Sequence, residues 1–368
     1  MHCALLRIMH IKKKKTVLVG NIKLGGNDSV VIQSMTNTKN CDVEATIAQI
    51  ESLQKAGCQI VRLAFCNVDE IKALKTIIKN SKIPLVADIQ FDYKLAVIAG
   101  DIGFSGIRFN PGNIGSERAI AEVVASAKAN KIPIRVGVNL GSLEKDIEKQ
   151  YGRTAEALAT SCLNHASILE RHSFYDIVLS VKASDAKTTI EANRILHNKS
   201  DYPLHIGITE SGFGQYGAIK SAVGIGGLLA DGIGDTIRVS LTGNPIDEIA
   251  VAKMILRASG RCKSGVEIVS CPTCARCNID LSFLASEIAE FVGEIDTPLK
   301  IALMGCVVNG PGEAKDADIA LCGGSDGRCV LYEKGIKIKT MLVEEALAEL
   351  KKLIIKLSAG DRVSPLQF

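Results

Sequence analysis

Short apolar runs rich in β-branched residues recur along the first two thirds of the chain, with helical patterns between most of them. Between the first two runs, Ile47, Ile50 and Leu53 follow helical spacing. Asp42 is suited to cap the start of that helix and Gly57 to end it. Eight strands that alternate with helices predict a (β/α)8 TIM barrel, and an open doubly wound sheet is the alternative. The runs are Val30–Ser34, Gln59–Ala64, Pro84–Ile89, Gly106–Asn110, Ile132–Val138, Ile177–Lys182, Leu204–Thr209 and Thr236–Leu241.

Two further segments extend this pattern. Residues Thr16–Gly26 predict a hairpin that closes the floor of the barrel. The polar segment Ala258–Gly265 marks a change in composition, and we place a domain boundary there, with domains at 1–260 and 261–368. The second domain reads as a smaller α/β unit. Its strand-like and helical runs are Val266–Val269, Leu299–Met304, Asp318–Leu321, Val330–Tyr332, Leu281–Val292 and Val343–Leu357.

Composition and charge exclude several classes of protein. Hydrophobic residues make up 47% and charged residues 23% of the 368 positions, which is ordinary globular usage. The net charge of +4 is too mild and too dispersed to indicate nucleic-acid binding. The apolar stretch Ala222–Ala230 is far shorter than the roughly 20 residues that a membrane span needs. At the N-terminus, a short apolar segment precedes the lysines Lys12–Lys15. A signal peptide has the opposite order, with the charges first, so we expect a cytoplasmic protein.

Cationic residues stand at the ends of the predicted strands. The carboxyl ends of barrel strands form the active face of a TIM barrel, so these side chains should converge. Burying several cations together is costly unless they are matched, and a multiply charged anion such as a diphosphate would match them. The alternative is that they pair with carboxylates inside the barrel. The strand-end residues are Arg62, Asp88, Arg108, Asn110, Arg135, Lys182, Glu210, Arg238 and Ser240.

Seven of the twelve cysteines lie beyond residue 260. Cys271, Cys274 and Cys277 form a C-x2-C-x2-C pattern, and Cys306 lies in a loop rich in Gly and Pro. This spacing is typical of bacterial ferredoxin clusters. Zinc or ordinary buried and redox thiols are the alternatives, although no histidine follows His205 to complete a mixed zinc site.

Long stretches of the chain closely resemble the 4-hydroxy-3-methylbut-2-enyl diphosphate synthase family, from about Thr16 to the last helix. The stretches are Ile32–Thr38, Val86–Tyr93, Arg108–Gly115, Gly137–Asp146, Val181–Asp185, Gly207–Glu210, Cys271–Cys274 and Gly305–Glu313. The resemblance implies a TIM barrel followed by a cluster domain similar to sulfite and nitrite reductase modules. The absence of a large insertion between them matches the compact two-domain bacterial form.

The same resemblance implies an oxidoreductase of the methylerythritol phosphate route to isoprenoids. Its reaction opens and dehydrates 2-C-methyl-D-erythritol 2,4-cyclodiphosphate to (E)-4-hydroxy-3-methylbut-2-enyl diphosphate. A [4Fe–4S] cluster supplies two electrons, and flavodoxin or ferredoxin delivers them. The family implies a head-to-tail homodimer in which the cluster of one chain caps the barrel of the other.

Carried over by motif, the resemblance also assigns roles to residues. The cluster ligands would be Cys271, Cys274, Cys306 and Glu313, the last being also a catalytic residue. Glu210 would donate a proton, or else pair with the cations. The substrate-binding residues would be Arg62, Arg108, Asn110, Arg135, Asn139, Lys182, Ser240 and, as a weaker member, Arg238.

Two positions qualify this assignment. Gln90 stands where the family pattern has histidine, and an amide can bind a substrate oxygen but cannot carry a proton. Cys277 is a rival cluster ligand that we rank below Glu313.

Two other functions stay open from the residues alone. One is an electron carrier attached to a phosphate-binding barrel, and the other is a zinc-stabilised barrel aldolase or phosphate-binding protein.

Overall fold

A computed structural model describes residues 14–26, 29–90, 92–110, 116–262, 264–293, 295–308 and 310–360. The chain forms two compact units, Met1–Cys262 and Lys263–Phe368. Within the described ranges, no helix has the length and hydrophobicity that a membrane span requires.

The first unit is an eight-stranded parallel barrel, so the TIM-barrel prediction is confirmed. Its hydrogen-bonded order is β8-β7-β6-β5-β4-β3-β10-β9. A parallel bridge between Leu179 and Leu204 brings the two ends of this order together, which an open doubly wound sheet would not do. The strands are β3 (Val31–Met35), β4 (Ile60–Ala64), β5 (Leu85–Asp88), β6 (Gly106–Phe109), β7 (Ile134–Asn139), β8 (Ile177–Lys182), β9 (His205–Ile206) and β10 (Thr236–Ile237), after the hairpin strands β1 (Val17–Val19) and β2 (Ile22–Leu24).

Helices surround the barrel, and local signals set their ends. Asp42 accepts a hydrogen bond from the backbone N–H of Ala45 at the start of the first helix, and Gly57 ends it at φ 105°. A π-helical segment, Ala222–Gly226, joins the eighth and ninth helices. The helices are α1 (Val43–Ala56), α2 (Ile71–Asn80), α3 (Tyr93–Ile102), α4 (Glu117–Asn130), α5 (Lys145–Tyr151), α6 (Ala155–Arg171), α7 (Ala186–Lys199), α8 (Gly214–Ser221), α9 (Gly227–Ala230) and α10 (Pro245–Ala258), with 3₁₀ turns at Val68–Glu70 and Leu140–Ser142.

The predicted hairpin closes the barrel floor. Strands β1 and β2 pair antiparallel, and Val17, Val19 and Leu24 pack into one apolar cluster with residues of four barrel strands, Val31, Ile60, Val86 and Val178. This cluster seals the amino-terminal end of the barrel with aliphatic side chains. The opposite end, where the strands finish, is therefore the face left for polar chemistry.

The second unit is a five-stranded sheet in the order β11-β12-β13-β14-β15. The first three strands run parallel and the last two antiparallel. The sequence analysis missed β15 and α12. Strand β15 is the exposed edge, with Met341 as its buried residue, so it lacks the apolar run of a core strand. The elements are β11 (Val266–Ser270), α11 (Leu281–Phe291), β12 (Leu299–Met304), α12 (Gly310–Lys315), β13 (Ile319–Gly323), β14 (Arg328–Glu333), β15 (Ile336–Leu342) and α13 (Val343–Gly360).

Candidate active site

A polar cavity opens at the carboxyl ends of the barrel strands. It encloses about 530 Å³ of empty space, solvent at its mouth included. Most of the predicted substrate-binding residues lie together in its wall, although they come from six different parts of the barrel. The lining residues are Arg62, Asp88, Gln90, Arg108, Arg135, Gly137, Asn139, Ser180, Lys182, Thr209, Arg238 and Ser240.

Two predicted site residues lie outside that wall. Asn110 is buried, 4% exposed, directly after β6. Glu210 is exposed and adopts a left-handed backbone conformation, with φ of 52°. Thr209, the neighbour of Glu210, does line the cavity. Glu210 therefore stands at the correct end of the barrel, one residue away from the cavity wall.

Asp88 holds two of the cations in place. Its carboxylate lies 3.4 Å from Arg62 Nε and 3.0 Å from Arg108 Nη1. Burial by itself would raise the pKa of Asp88, but Arg62, Arg108 and Arg135 together hold that pKa below its usual value. For Arg62, burial outweighs the attraction of Asp88 and lowers the guanidinium pKa to about 10. Asp88 therefore stays ionised and fixes both guanidinium groups at the cavity wall.

Glu248 is a second anionic anchor, and the sequence analysis did not find it. It lies in the first turn of α10 and is 3% exposed. Its carboxylate lies 3.3 Å from Arg238 Nη2 and accepts hydrogen bonds from Ser34 Oγ at 2.9 Å and from the backbone N–H of Leu241 at 3.1 Å. The sequence alone shows it only as an acidic residue in the first turn of a helix, beside Asp247. Its partnership with Arg238 depends on the tertiary structure.

Two other cations have neutral partners. Within the described ranges, no carboxylate forms an ion pair with Arg135 or Lys182. Arg135 Nη1 instead donates to Gln33 Oε1 at 2.6 Å, and Lys182 Nζ lies 3.2 Å from His205 Nε2. Burial, followed by the neighbouring arginines, lowers the pKa of Arg135 and that of Lys182 well below their usual values. Sequence reasoning missed Gln33 and His205, whose polar side chains sit in otherwise apolar strands.

The cavity is therefore electropositive by construction. Five cations surround it, and in the described part of the chain the carboxylates that pair with them are those of Asp88 and Glu248. The alternative of full pairing inside the barrel is not what the structure shows. An anion with several charged oxygens would relieve this excess of charge, and guanidinium groups can bind its oxygens with two parallel hydrogen bonds.

Three of the predicted cluster ligands line one cavity in the second unit. Cys271 directly follows β11, and Cys306 is the second residue after the end of β12. Because β11 and β12 are parallel neighbours, their carboxyl ends meet at one edge of the sheet. The cavity encloses about 450 Å³ of empty space. Its lining residues are Cys271, Pro272, Thr273, Cys274, Arg276, Met304, Gly305 and Cys306.

The surroundings of this cavity suit thiolate ligands. The backbone N–H of Gly305 donates to Cys271 Sγ at 3.3 Å, a contact that stabilises a thiolate. A side chain at Gly305 would collide with Cys277 Sγ and approach Cys271 Sγ to 3.5 Å, so glycine leaves the sulfur atoms room. Hydrogen bonds to sulfur of this kind also tune iron–sulfur sites. Three thiols therefore share the wall of one cavity.

The fourth ligand is not settled by the same geometry. Cys277 does not line the cavity, and its Sγ donates to the backbone oxygen of Ile279 at 3.2 Å. Glu313 is half-buried on α12, also outside the cavity wall. Among the residues that the structure describes, no three His, Cys, Asp or Glu side chains are gathered as they would be around one metal ion. The ligand role of Glu313 stays a prediction.

Fold and site define an α/β-barrel protein with a cation-lined cavity in one unit and a thiol-lined cavity in the other. Residues 14–253 match the family model described as the GcpE TIM-barrel domain. Residues 267–356 match that described as the GcpE protein C-terminal domain. The chain belongs to the GcpE family, which confirms the resemblance found in the sequence.

Curated relatives are similar to this chain over nearly its whole length, and three of them carry the name 4-hydroxy-3-methylbut-2-en-1-yl diphosphate synthase (flavodoxin). The relative from Clostridium perfringens is 52% identical over 94% of this chain and 99% of its own length. The relative from Fusobacterium nucleatum is 50% identical over 93% of this chain and 97% of its own length. That from Caldanaerobacter subterraneus is 52% identical over 93% and 98%, respectively.

The Asp88 anchor generates a prediction about stability. Asp88→Asn should lower the free energy of unfolding at about pH 7 by about 3 kcal/mol, because it leaves buried guanidinium groups without their carboxylate. The pKa of Asp88 is depressed in the folded state. Its contribution is therefore complete above about pH 4 and is lost as the pH falls through the folded-state value. Urea titrations at several pH values should show the variant and the original protein converging only below about pH 4.

Glu122→Gln is the matched control, because Glu122 pairs with Arg118 on the exposed surface of α4. That change should cost less than about 0.5 kcal/mol. Equal effects of the two substitutions would show that Asp88 does not anchor the cationic cavity.

Proposed function

We propose that the chain is an oxidoreductase that opens and dehydrates 2-C-methyl-D-erythritol 2,4-cyclodiphosphate to (E)-4-hydroxy-3-methylbut-2-enyl diphosphate, a step toward isoprenoid precursors. The observation that carries the proposal is the cavity in which buried Arg135 and Lys182 form no ion pair with any carboxylate that the structure describes. A diphosphate supplies the missing negative charge. The names of relatives about 50% identical over nearly the whole chain support the same reaction.

The barrel residues bind and orient the diphosphate. Arg62 and Arg108 are held ready by Asp88, so little side-chain freedom is lost when the anion arrives. Arg135 and Lys182 add charge from deeper in the wall, and Arg238 adds a guanidinium held by Glu248. Asn139 and Ser240 supply neutral hydrogen bonds to the remaining substrate oxygens, and we assign the same role to Asn110, which directly follows β6.

Dehydration requires a proton on the oxygen that leaves. Gln90 lines the cavity, and its amide NH2 can donate a hydrogen bond but cannot transfer a proton, so it orients a substrate oxygen without protonating it. We assign proton donation to Glu210. The position of its neighbour Thr209 in the cavity wall supports this, although the side chain of Glu210 must turn toward the substrate from the exposed loop.

The second unit holds the redox group. Cys271, Cys274 and Cys306 are the thiolate ligands of a [4Fe–4S] cluster, and Glu313 is the fourth ligand and a catalytic residue. The cluster supplies the two electrons that the reaction consumes. Flavodoxin, printed in the names of the relatives, is the electron donor, and ferredoxin of similarly low potential can replace it. Thiolates of this kind persist in a reducing compartment, which supports a cytoplasmic location.

The test of this function is an anaerobic assay of the full-length protein, reconstituted with iron and sulfide, with the cyclodiphosphate and a low-potential reductant. Formation of the linear diphosphate product is the expected result. Arg135→Met should lower kcat/KM at least about tenfold, because a charge-assisted contact to phosphate is lost. Arg118→Met removes a surface arginine that is 91% exposed and should leave kcat/KM unchanged. A reconstituted protein that binds the substrate without converting it would support an electron carrier instead.

The cysteines make a separate prediction. Cys271→Ser, Cys274→Ser and Cys306→Ser should each abolish assembly of the cluster, because each removes a thiolate anchor. Cys277→Ser should retain the cluster, since Cys277 lies outside the cavity wall. Iron and sulfide content per chain measures the outcome. Loss of iron in the Cys277 variant alone would reverse the ligand assignment, and zinc in place of iron would refute the cluster.

We also propose that the active protein is a head-to-tail homodimer in which one chain's cluster meets its partner's barrel. A closed pair repeats a single contact twice and keeps water from the reacting centre. Cys306→Ser and Glu210→Gln should each be nearly inactive alone. Mixed under conditions that allow subunit exchange, they should regain activity, because a mixed dimer holds one intact barrel facing one intact cluster. Demonstrated exchange without recovery would contradict the shared site.

A further inference from the structure

A row of three buried polar side chains lies on three neighbouring strands of the barrel, next to the cationic cavity. Lys182 stands at the end of β8, His205 begins β9 and Thr236 begins β10. Lys182 Nζ lies 3.2 Å from His205 Nε2, and His205 Nδ1 lies 3.4 Å from Thr236 Oγ1. Lys182 is 8% exposed and the other two residues are at most 2% exposed. The proposed function so far uses only the lysine.

The geometry restricts the protonation of the pair. An ammonium group only donates, so beside it His205 Nε2 must accept, and its hydrogen must then be on Nδ1, directed at Thr236. If the lysine is a neutral amine, His205 Nε2–H can donate to it instead. In either form the imidazole is neutral, since an imidazolium beside an ammonium would leave two donors facing each other. Burial, followed by Arg135 and Lys182, holds the pKa of His205 well below its usual value.

The barrel makes room for this contact at Gly207. A Cβ at that position would lie 2.8 Å from Lys182 Nζ and 2.5 Å from the backbone oxygen of Arg238. The missing side chain leaves room for the lysine to extend past Gly207 to His205 on the neighbouring strand. The contact between Lys182 and His205 therefore depends on glycine at position 207, just after β9.

The groups that face Lys182 disfavour its charge when the cavity holds no anion. The carboxylates in this region are already engaged, Asp88 with two arginines and Glu248 with Arg238. Burial comes first among the causes that lower the pKa of Lys182, and the neighbouring arginines follow. Those arginines are Arg135 on β7, Arg62 on β4, Arg108 on β6 and Arg238 just beyond β10.

We propose that His205 is the positioning residue of Lys182, and that diphosphate binding in the cavity draws one proton from solvent onto the Lys182–His205 pair. The proposal rests on the proposed function, since it takes the cavity as the diphosphate site. His205 supplies a neutral acceptor that aims the amine without cancelling its charge, as a carboxylate would. The site then becomes fully cationic only when an anion is present to compensate for it.

The coupling is measured by calorimetric titration of the full-length protein with inorganic pyrophosphate, in buffers of different ionisation enthalpy. Lys182→Met provides the correction for the probe's own ionisation. The original protein should take up more protons than this variant. The excess should disappear when the pH is low enough for the lysine to be protonated before the anion binds. Equal proton uptake by the two proteins would overturn the coupling.

The positioning role is tested with two substitutions of His205. His205→Leu removes the acceptor and should weaken pyrophosphate binding about tenfold, whereas His205→Gln keeps a neutral acceptor and should restore affinity to within about threefold. A purely structural role predicts lower thermal stability in both variants with unchanged affinity, which would overturn the proposal. If His205→Leu does not fold, His205→Gln and the proton count of the original protein still decide.

Binding of pyrophosphate by the variants distinguishes failure of the proposed function from failure of the role of His205. If Lys182→Met and Arg135→Met both bind pyrophosphate as the original protein does, the cavity is not the diphosphate site and the proposed function fails with it. If those variants bind weakly while His205→Leu binds normally, the site stands and His205 is only a core residue.

Discussion

Four arginines and one lysine share one cavity at the carboxyl-end face of the barrel, and most other features of the first unit follow from keeping them there. Buried charge is costly, so each cation needs a partner that fixes it without neutralising the whole site. Asp88 forms ion pairs with Arg62 and Arg108, and Glu248 forms one with Arg238. The remaining two rest on neutral acceptors, which is why the cavity keeps an excess of positive charge for an anion.

The barrel supports this arrangement by dividing its two ends. The hairpin β1–β2 seals the floor with aliphatic side chains, so polar chemistry is confined to the opposite face. Between them lies the layer of Gln33 and His205, which are buried yet hydrogen-bonded to the cations above. Buried polar groups are stable when they are paired in this way. Gln33 and His205 therefore lie between the aliphatic residues of the barrel floor and the charged residues of the cavity.

In the second unit the constraint is sulfur chemistry rather than charge. Parallel pairing of β11 with β12 brings two cysteines from separate loops to one edge of the sheet. Gly305 leaves space beside their sulfur atoms and donates a hydrogen bond to one of them. Cys277 belongs to the same sequence pattern as Cys271 and Cys274, but its thiol lies against the backbone of Ile279 and outside the cavity.

Local signals in the sequence were sufficient for the barrel, because hydrophobic period, caps and turns act within a few residues. They also placed Lys182 at the carboxyl end of a strand, where the structure has it. The same prediction was wrong for Arg62, the middle residue of β4, and for Arg135, the second residue of β7, although both side chains line the cavity. The partners of these cations could not be predicted, since Gln33 and Arg135 are 102 positions apart and Lys182 and His205 are 23 apart. Strand β15 was missed because an exposed edge needs no apolar run. Which polar groups meet in the interior was decided only by the tertiary structure, through pairings that carry no local pattern.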